Sequence, residues 1–386
     1  MDVIVLGLGV NGLAVVRSLG EKGLTISGVY NDSFDELGVH SKYIKECRNV
    51  RKACTKDELL TACDNMLLSS SIKKPVLICT TDAFASVVAE NQDVFSQRFL
   101  LTVPSKEIYW QFLAKQPTAA ICTNNSLAIP KTVFVSKEES LLEACQDINY
   151  PVIVKPDLTF DDAFPGKNVI VNNRAELEQF LVSYPQLESR VVAQEIVPSG
   201  DGKIFVVTTF SDVNGKVRSA YSGKKIRQYL PDYGVTCFGV SIEIPELKQK
   251  VITFLEKIGY IGFATLEFAY NEETDEYLFI ELNIRTFYHN QLFKDAGLDI
   301  NYNAYLLASG QVTDDLLIKQ KDDVHWIDFT RDLGSYRRKR VQNKIIFSDW
   351  IRDVLKARSF AYLNRKDMKP FIVSIARLFS IIRKQA

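Results

Sequence analysis

Metal-binding and redox side chains are scarce in this sequence. Its 386 residues hold three histidines, none at metal-ligand spacing, and seven cysteines without one CxxC pair. That pattern removes cysteine–histidine metal clusters and dithiol redox chemistry. The cysteines stand in apolar or helical contexts and are expected as reduced, buried small hydrophobes. No apolar run approaches the length that spans a bilayer. No basic segment precedes the first strand, so no signal peptide is expected and the location is expected to be cytoplasmic. Internal repeats and low-complexity tracts are absent. So is an excess of either charge, with 47 Lys/Arg against 47 Asp/Glu. The distribution is uneven: from Arg331 onward there are 15 Lys/Arg and 4 Asp/Glu, against 32 and 43 in the first 330 residues. With 46% hydrophobic and 24% charged residues, the composition is that of a globular protein. At roughly 150 residues per domain, two or three domains with an unstapled core are expected.

The chain opens with Val3-Ile4-Val5-Leu6, then Gly7-Leu8-Gly9-Val10-Asn11-Gly12, then apolar periodicity to Leu19. This reads as strand, glycine turn and helix. A second strand covers Leu24 to Tyr30, and a further run, Pro75 to Cys79, leads through Thr80-Thr81-Asp82 into a helix. Strands alternating with helices imply a parallel sheet covered on both faces, here an α/β domain over residues 1–102. The texture then changes. Short strands are expected at 133–135, 150–156, 169–171 and 190–193. An antiparallel meander over 203–221 turns at Asp212-Val213-Asn214-Gly215. A strand pair, 262–270 and 277–283, is joined by the acidic turn 271–276. The region from about 331 reads as helical, with Ser348 as N-cap of a helix from Asp349 to Tyr362 and Pro370 in the first turn of a last helix.

Gly7-x-Gly9-x-x-Gly12 has the strand before and helix after that a dinucleotide fingerprint requires, and Asp32 lies 20 positions beyond the last glycine. Read alone it suggests an NAD(P)-dependent oxidoreductase. No second domain offers a His–Asp or Tyr–Lys pair for hydride chemistry, so tight turning and close helix–strand packing stand as the other explanation of the glycines.

The chemistry-bearing residues lie further on. In Phe279-Ile280-Glu281-Leu282-Asn283-Ile284-Arg285, strand alternation puts Glu281, Asn283 and Arg285 on one face. Glu267, in Gly262-Phe263-Ala264-Thr265-Leu266-Glu267-Phe268, joins them across the ladder. Oxygen donors gathered on a sheet face suit a hard cation such as magnesium; an exposed Glu–Arg pairing is the plain alternative. Lys155 ends an apolar strand before Pro156 and can reach a phosphate as a point charge; an ordinary solvated strand-end lysine is the plain alternative. The stretch Gln194-Glu195-Ile196-Val197 leads a strand into a turn able to offer backbone groups to an adenine edge, with Asp201 placed for a ribose.

Together these parts resemble the ATP-grasp superfamily of carboxylate–amine ligases over roughly Lys115 to Gly310. The resemblance implies an N-terminal Rossmann-like domain (1–102), a two-lobed ATP-grasp α+β module (103–310) and a basic helical C-terminal region (311–386). It implies ATP and Mg2+ (or Mn2+) as cofactors. Lys115 and Lys155 would hold ATP phosphates, Glu195 and Val197 would bracket adenine, and Asp201 would meet the ribose. Glu267, Glu281 and Asn283 would hold the metal, and Arg285 would stabilise the phosphoryl group or acylphosphate. The phosphate-covering loop, 157–167, carries one glycine, Gly166, beside Lys167, which would touch a phosphate; Asp161 or Asp162 would order it. That glycine-poor loop is one departure from the family; two more are Ile284 where the family has proline, and Lys115 without the usual preceding aspartate. Ser222-Gly223-Lys224-Lys225-Ile226-Arg227-Gln228-Tyr229, followed by Pro231-Asp232-Tyr233-Gly234, is similar to the D-aspartate ligase-like branch, whose members serve cell-wall or surface-glycan assembly. There Lys225 and Arg227 would hold a substrate carboxylate or phosphate, and Asp299 would be a structural cap.

The implied reaction joins a small-molecule carboxylate to an amine or amino acid. ATP first turns the carboxylate oxygen into a phosphate leaving group, and water is kept out because an acylphosphate hydrolyses. A homodimer is a common arrangement in the family. No nucleic-acid partner is expected, because aromatics do not interleave with the tail's cations. The basic tail has three readings: packing on the body, lying on an anionic membrane at its inner face, or holding an anionic substrate.

Overall fold

A computed structural model describes residues 2–31, 36–67, 74–134, 140–158, 164–166, 168–185, 191–197, 200–229, 234–312, 316–342 and 345–385. Asp32, Asp161, Asp162, Lys167 and positions 231–233 lie outside the described residues. The chain divides into two compact units: residues 1–106, 200–266 and 282–386 form the first, and 107–199 with 267–281 the second.

The first unit begins with β1 (Val3–Leu6), β2 (Ile26–Asn31), β3 (Ile44–Val50), β4 (Val76–Cys79) and β5 (Leu100–Leu101), in the order β3-β2-β1-β4-β5. All their pairings are parallel; Val3 faces Ile26 on one side and Val76 on the other. Every residue of β1 is buried, as a central strand covered on both faces requires. The strand order reverses at β1/β4, so the loops after these two strands lie at the sheet's switch point.

The second unit holds β6 (Thr132–Phe134), β7 (Val152–Pro156), β8 (Val169–Val171) and β9 (Val191–Glu195), an antiparallel sheet ordered β6-β9-β7-β8. Val152, Val154 and Ala193 pack on Leu177 and Phe180 of the helix Arg174–Ser183. That helix is capped by Asn173, whose side chain accepts from Glu176 N at 3.0 Å.

Seven strands form the remaining sheet: β10 (Ile204–Ser211), β11 (Val217–Tyr229), β12 (Val235–Ser241), β13 (Gly262–Asn271), β14 (Glu276–Asn283), β15 (His325–Ile327) and β16 (Ala357–Phe360), ordered β14-β13-β10-β11-β12-β15-β16. The expected turn at Asp212 is present: its carboxylate accepts from Asn214 N and Lys216 N, and Gly215 takes φ +75°.

The basic C-terminal region departs from its sequence reading. The helix expected from Asp349 to Tyr362 runs Phe347–Lys356 instead, with Ile346 and not Ser348 at its N-cap, and the chain then continues as β16. Residues 357–359 alternate buried, exposed, buried, and β16 pairs in parallel with β15. An open strand edge overrides the helical periodicity. Nor is the region a separate domain. Arg17 of the helix Val10–Gly20 is buried against Asp367, Nε to Oδ2 at 3.1 Å, and its Nη2 donates to the carbonyls of Tyr362 and Asp367. Ser41 Oγ donates to the same carboxylate at 2.8 Å. A buried pair this far apart in sequence leaves no local trace. All seven cysteines are free, and burial pushes the Cys122 thiol up to about 12.

Candidate active site

The glycine loop is filled by its own protein. Gly7 sits at φ +94°, and a Cβ on Gly12 would lie 2.0 Å from the Gly7 carbonyl oxygen. Leu8 N donates to the Glu36 carboxylate and Gly38 N to Leu8 O. The Asn11 side chain donates to Thr80 O, and Asn290 Nδ2 donates to Asn11 O at 3.2 Å. These glycines serve close helix–strand packing.

In the first unit, strand β14 ends at Asn283 and delivers Arg285 two residues on. Arg285 Nη2 donates to Asn283 Oδ1 at 3.0 Å, so the two side chains do share a face. Asp82 completes the group. It opens the helix Asp82–Glu90 at the carboxyl end of β4, and Thr81 caps that helix by accepting from Phe84 N. The Asp82 carboxylate takes Arg285 Nε at 2.8 Å and Nη2 at 2.9 Å, a two-point fork. Sequence reading missed Asp82 as a partner, although an acid just past a parallel strand at a switch point is a usable signal.

Other expected residues of this unit are occupied internally. Arg227 is buried with Nε 2.8 Å from Asp332 Oδ1 and Nη1 2.6 Å from Asp353 Oδ2. Burial pulls its pKa down, but the hydrogen bonds and charges of Asp332 and Asp353 outweigh that and leave it above the ordinary value. Lys225 is 4% exposed, its ammonium 5.5 Å above the Phe287 ring. A β-bulge between 225 and 227 breaks the simple alternation that would have set both on one face. Neighbouring His289 is fully buried; burial first, and the charge of Lys225 second, push its imidazole down to about 3. It is neutral and carries no acid role at ordinary pH. Asp201 accepts from Lys339 Nζ and from Gln228 N. Roles for Lys225, Arg227 and Asp201 toward substrate or ribose are therefore not carried forward. Asp299 does cap its helix, Ile300–Ala308, accepting from Tyr302 N.

In the second unit, Lys155 is half-buried at the end of β7 and donates to Gln194 Oε1 at 2.9 Å; Gln194 in turn donates to Thr132 Oγ1. This relay fixes the ammonium's direction. Lys115 starts the helix Lys115–Asn124, which Asp157 caps from a distance, its Oδ1 accepting from both Lys115 N and Gln116 N at 3.0 Å. The aspartate missing before Lys115 in sequence is thus replaced in space. Glu195 accepts from Asn149 N at 2.9 Å, and its own amide donates to Lys131 O. Val197 is buried. Glu267 on β13 is buried, while Glu281 on β14 is exposed.

The donor set fits a hard cation. Carboxylate and amide oxygens suit magnesium, and Asn283 Oδ1 accepts from Arg285 Nη2. Among the described residues no three His, Cys, Asp or Glu side chains converge into a metal cage.

Residues 241–316, which include Glu267, Glu281, Asn283 and Arg285, match the family described as carbamoyl-phosphate synthase L chain, ATP binding domain. Biotin carboxylase from Campylobacter jejuni, solved as a β,γ-ATP complex, shares the fold with a TM-score of 0.65 and 17% identity over 84% of this chain and 74% of that one. N5-carboxyaminoimidazole synthetase from Staphylococcus aureus, solved with ADP, gives 0.62 and 15%, covering 83% of this chain and 79% of that one. The matched stretch and the fold are similar to those of the ATP-grasp carboxylate–amine ligases. Within that class, D-aspartate ligase of Enterococcus faecium (strain Aus0004) is 26% identical over 232 residues, 56% of this chain and 54% of that ligase. The matched stretch thus spans about half the length of that relative. The oxidoreductase alternative finds no support in these likenesses or in the packed glycine loop.

Proposed function

We propose that this protein is an ATP-dependent ligase that forms an amide bond between a carboxylate and an amine or amino acid through an acylphosphate, in cell-wall or surface-glycan assembly. The observation that carries the reading is the Asn283–Arg285 junction at the end of β14, two residues from Glu281, inside the stretch matched to an ATP-binding family. Lys155 and Lys115 bind ATP phosphates, with Lys155 aimed by Gln194. The stretch from Glu195 to Val197 takes the adenine. Glu267, Glu281 and Asn283 hold magnesium, which neutralises phosphate oxygens when bound. Arg285, planar and permanently charged, stabilises the charge that spreads over the transferring phosphoryl oxygens. The carboxylate oxygen then leaves as phosphate when the amine attacks. Purified protein with Mg-ATP is expected to release ADP only when an acid and an amine are both supplied, in a panel of amino acids and sugar or small-molecule acids. Release with NAD-linked redox substrates alone, or none with any pair, would sink the reading.

The C-terminal region supports a second, separate proposal: contact with an anionic membrane surface. No helix among the described residues is long and apolar enough to cross a membrane. The helix Phe347–Lys356 buries Trp350 but leaves Phe347 and Leu355 56% and 70% exposed. Two of the region's four carboxylates, Asp332 and Asp367, are buried against Arg227 and Arg17. Its surface therefore keeps exposed cations at 337, 338, 340 and 358, while Arg352 and Lys356 pair with Asp349 and Asp353. An apolar stripe beside basic residues is the double signal surface binding needs. The last helix, by contrast, packs Phe371 and Val373 on the core. The protein is expected to sediment with phosphatidylglycerol vesicles and not with phosphatidylcholine ones, less so at high salt, and Phe347→Asp with Leu355→Asp should abolish it. Equal sedimentation of wild type and variant discards the idea.

A further inference from the structure

We propose that Asp82 is a positioning residue for the ligase reaction, holding the Arg285 guanidinium and, through it, the Asn283 amide in their working orientation; this rests on the function proposed above. The two residues lie 203 positions apart, yet the carboxylate meets the guanidinium at two points, 2.8 Å and 2.9 Å. A two-point contact fixes the plane of the guanidinium, where a single bond would let it swing. The same Nη2 that reaches Asp82 also reaches Asn283 Oδ1 at 3.0 Å, and Nη1 donates to Thr286 O at 3.3 Å. Turning the guanidinium would therefore turn the Asn283 amide, moving a proposed metal ligand and a proposed phosphoryl contact together.

Stability is a poor explanation for this contact. The Asp82 side chain is 53% exposed and that of Arg285 17%, and exposed ion pairs contribute about 0–1 kcal/mol. Orientation is a better one. A flexible arginine loses about 2 kcal/mol of rotamer freedom when fixed, and an active site gains if that loss is met before substrate arrives. Asp82 is itself firmly placed. Thr81 caps its helix, and the preceding Thr80 is pinned by its Oγ1 donating to Gly7 O at 2.9 Å. The parallel sheet of the first unit thus reaches the reacting groups through one carboxylate.

The experiment uses the full chain with an acid and amine pair that supports ADP release. Asp82→Asn keeps the shape and removes the charge. Its kcat is expected to fall about 10–100-fold, as for other residues that orient a ligand from behind, with the KM for ATP and the urea midpoint held. Amide formed per ADP released should also fall, because a misplaced acylphosphate loses to water. Asp82→Glu, which can still offer two oxygens, should recover most of kcat and of the coupling. Unchanged kcat and coupling in Asp82→Asn overturn the positioning role while the ligase reading stands. A loss that tracks a lowered midpoint and is not rescued by Asp82→Glu overturns it too. A wild-type chain that releases no ADP with any pair brings down the ligase reading and the positioning role with it.

Discussion

In a Glu281→Ala chain, ADP release driven by acid and amine is expected to fall at least 10²–10³-fold, with the fold intact. Removing one preorganised electrostatic group from a closed site typically costs about 3–4 kcal/mol in the transition state, which is that factor in rate. The fold should be indifferent, because Glu281 is exposed on β14 and exposed substitutions usually stay within about 0.5 kcal/mol. This separation of effects is what makes the variant informative. Glu267 is buried on the neighbouring strand, so its removal would mix folding with chemistry. Coupled ADP release and a circular dichroism melt, run on the same preparation, check both halves. Full activity in the variant would remove the carboxylate from the proposed magnesium set and leave the mechanism without its anchor.

Much of the fold was legible in local pattern. The buried run of β1, the glycine turn and the helix after it, the strand end at Lys155 and the β13–β14 pair all appear where periodicity and turn residues place them, within a residue or two. Of the site, Asn283 and Arg285 were legible as a shared face, because a strand's period of two is a local property. What was hidden is what sequence distance hides. Asp82 meets Arg285 across 203 positions and Asp367 meets Arg17 across 350; neither acid is unusual among its neighbours. The aspartate that caps the helix at Lys115 comes from Asp157, 42 positions on. The misreadings share one cause. The bulge between Lys225 and Arg227 has no signature in a basic strand, and residues 357–360 looked helical because their strand exists only where β15 offers an edge. In each case tertiary contacts decided among locally acceptable conformations.

The same hidden contacts predict a large loss of stability at Asp332. Its carboxylate, fully buried, accepts from Arg227 Nε at 2.8 Å and Nη2 at 3.2 Å, from Trp350 Nε1 at 2.7 Å, and from Cys237 Sγ at 3.5 Å. Through it β11, β12 and the helices Phe329–Val341 and Phe347–Lys356 share one charge. Asp332→Ala strands the Arg227 guanidinium, which is buried against the Phe238 ring at 4.3 Å. Asp353, 2.6 Å away at Nη1, compensates only in part. Breaking a buried pair on one side costs about 3–5 kcal/mol, most of it the uncompensated charge. Removing both sides should cost less: Arg227→Met with Asp332→Leu is expected to unfold at a higher urea midpoint than Asp332→Ala alone, because no fully buried charge is left behind and Asp353 keeps Lys356 as a partner. The remaining carboxylate adds a pH signature. Burial raises the pKa of Asp353, but the hydrogen bonds from Lys356 and Arg227 outweigh it and hold the group below its ordinary value. A depressed folded pKa contributes stability that is present above the unfolded value and lost as pH falls through the folded one. Acid should therefore narrow the gap between wild type and Asp353→Asn, as read from urea midpoints in the acidic range. A gap that widens as the pH falls would mean that Asp353 is not braced by Arg227 as the geometry has it.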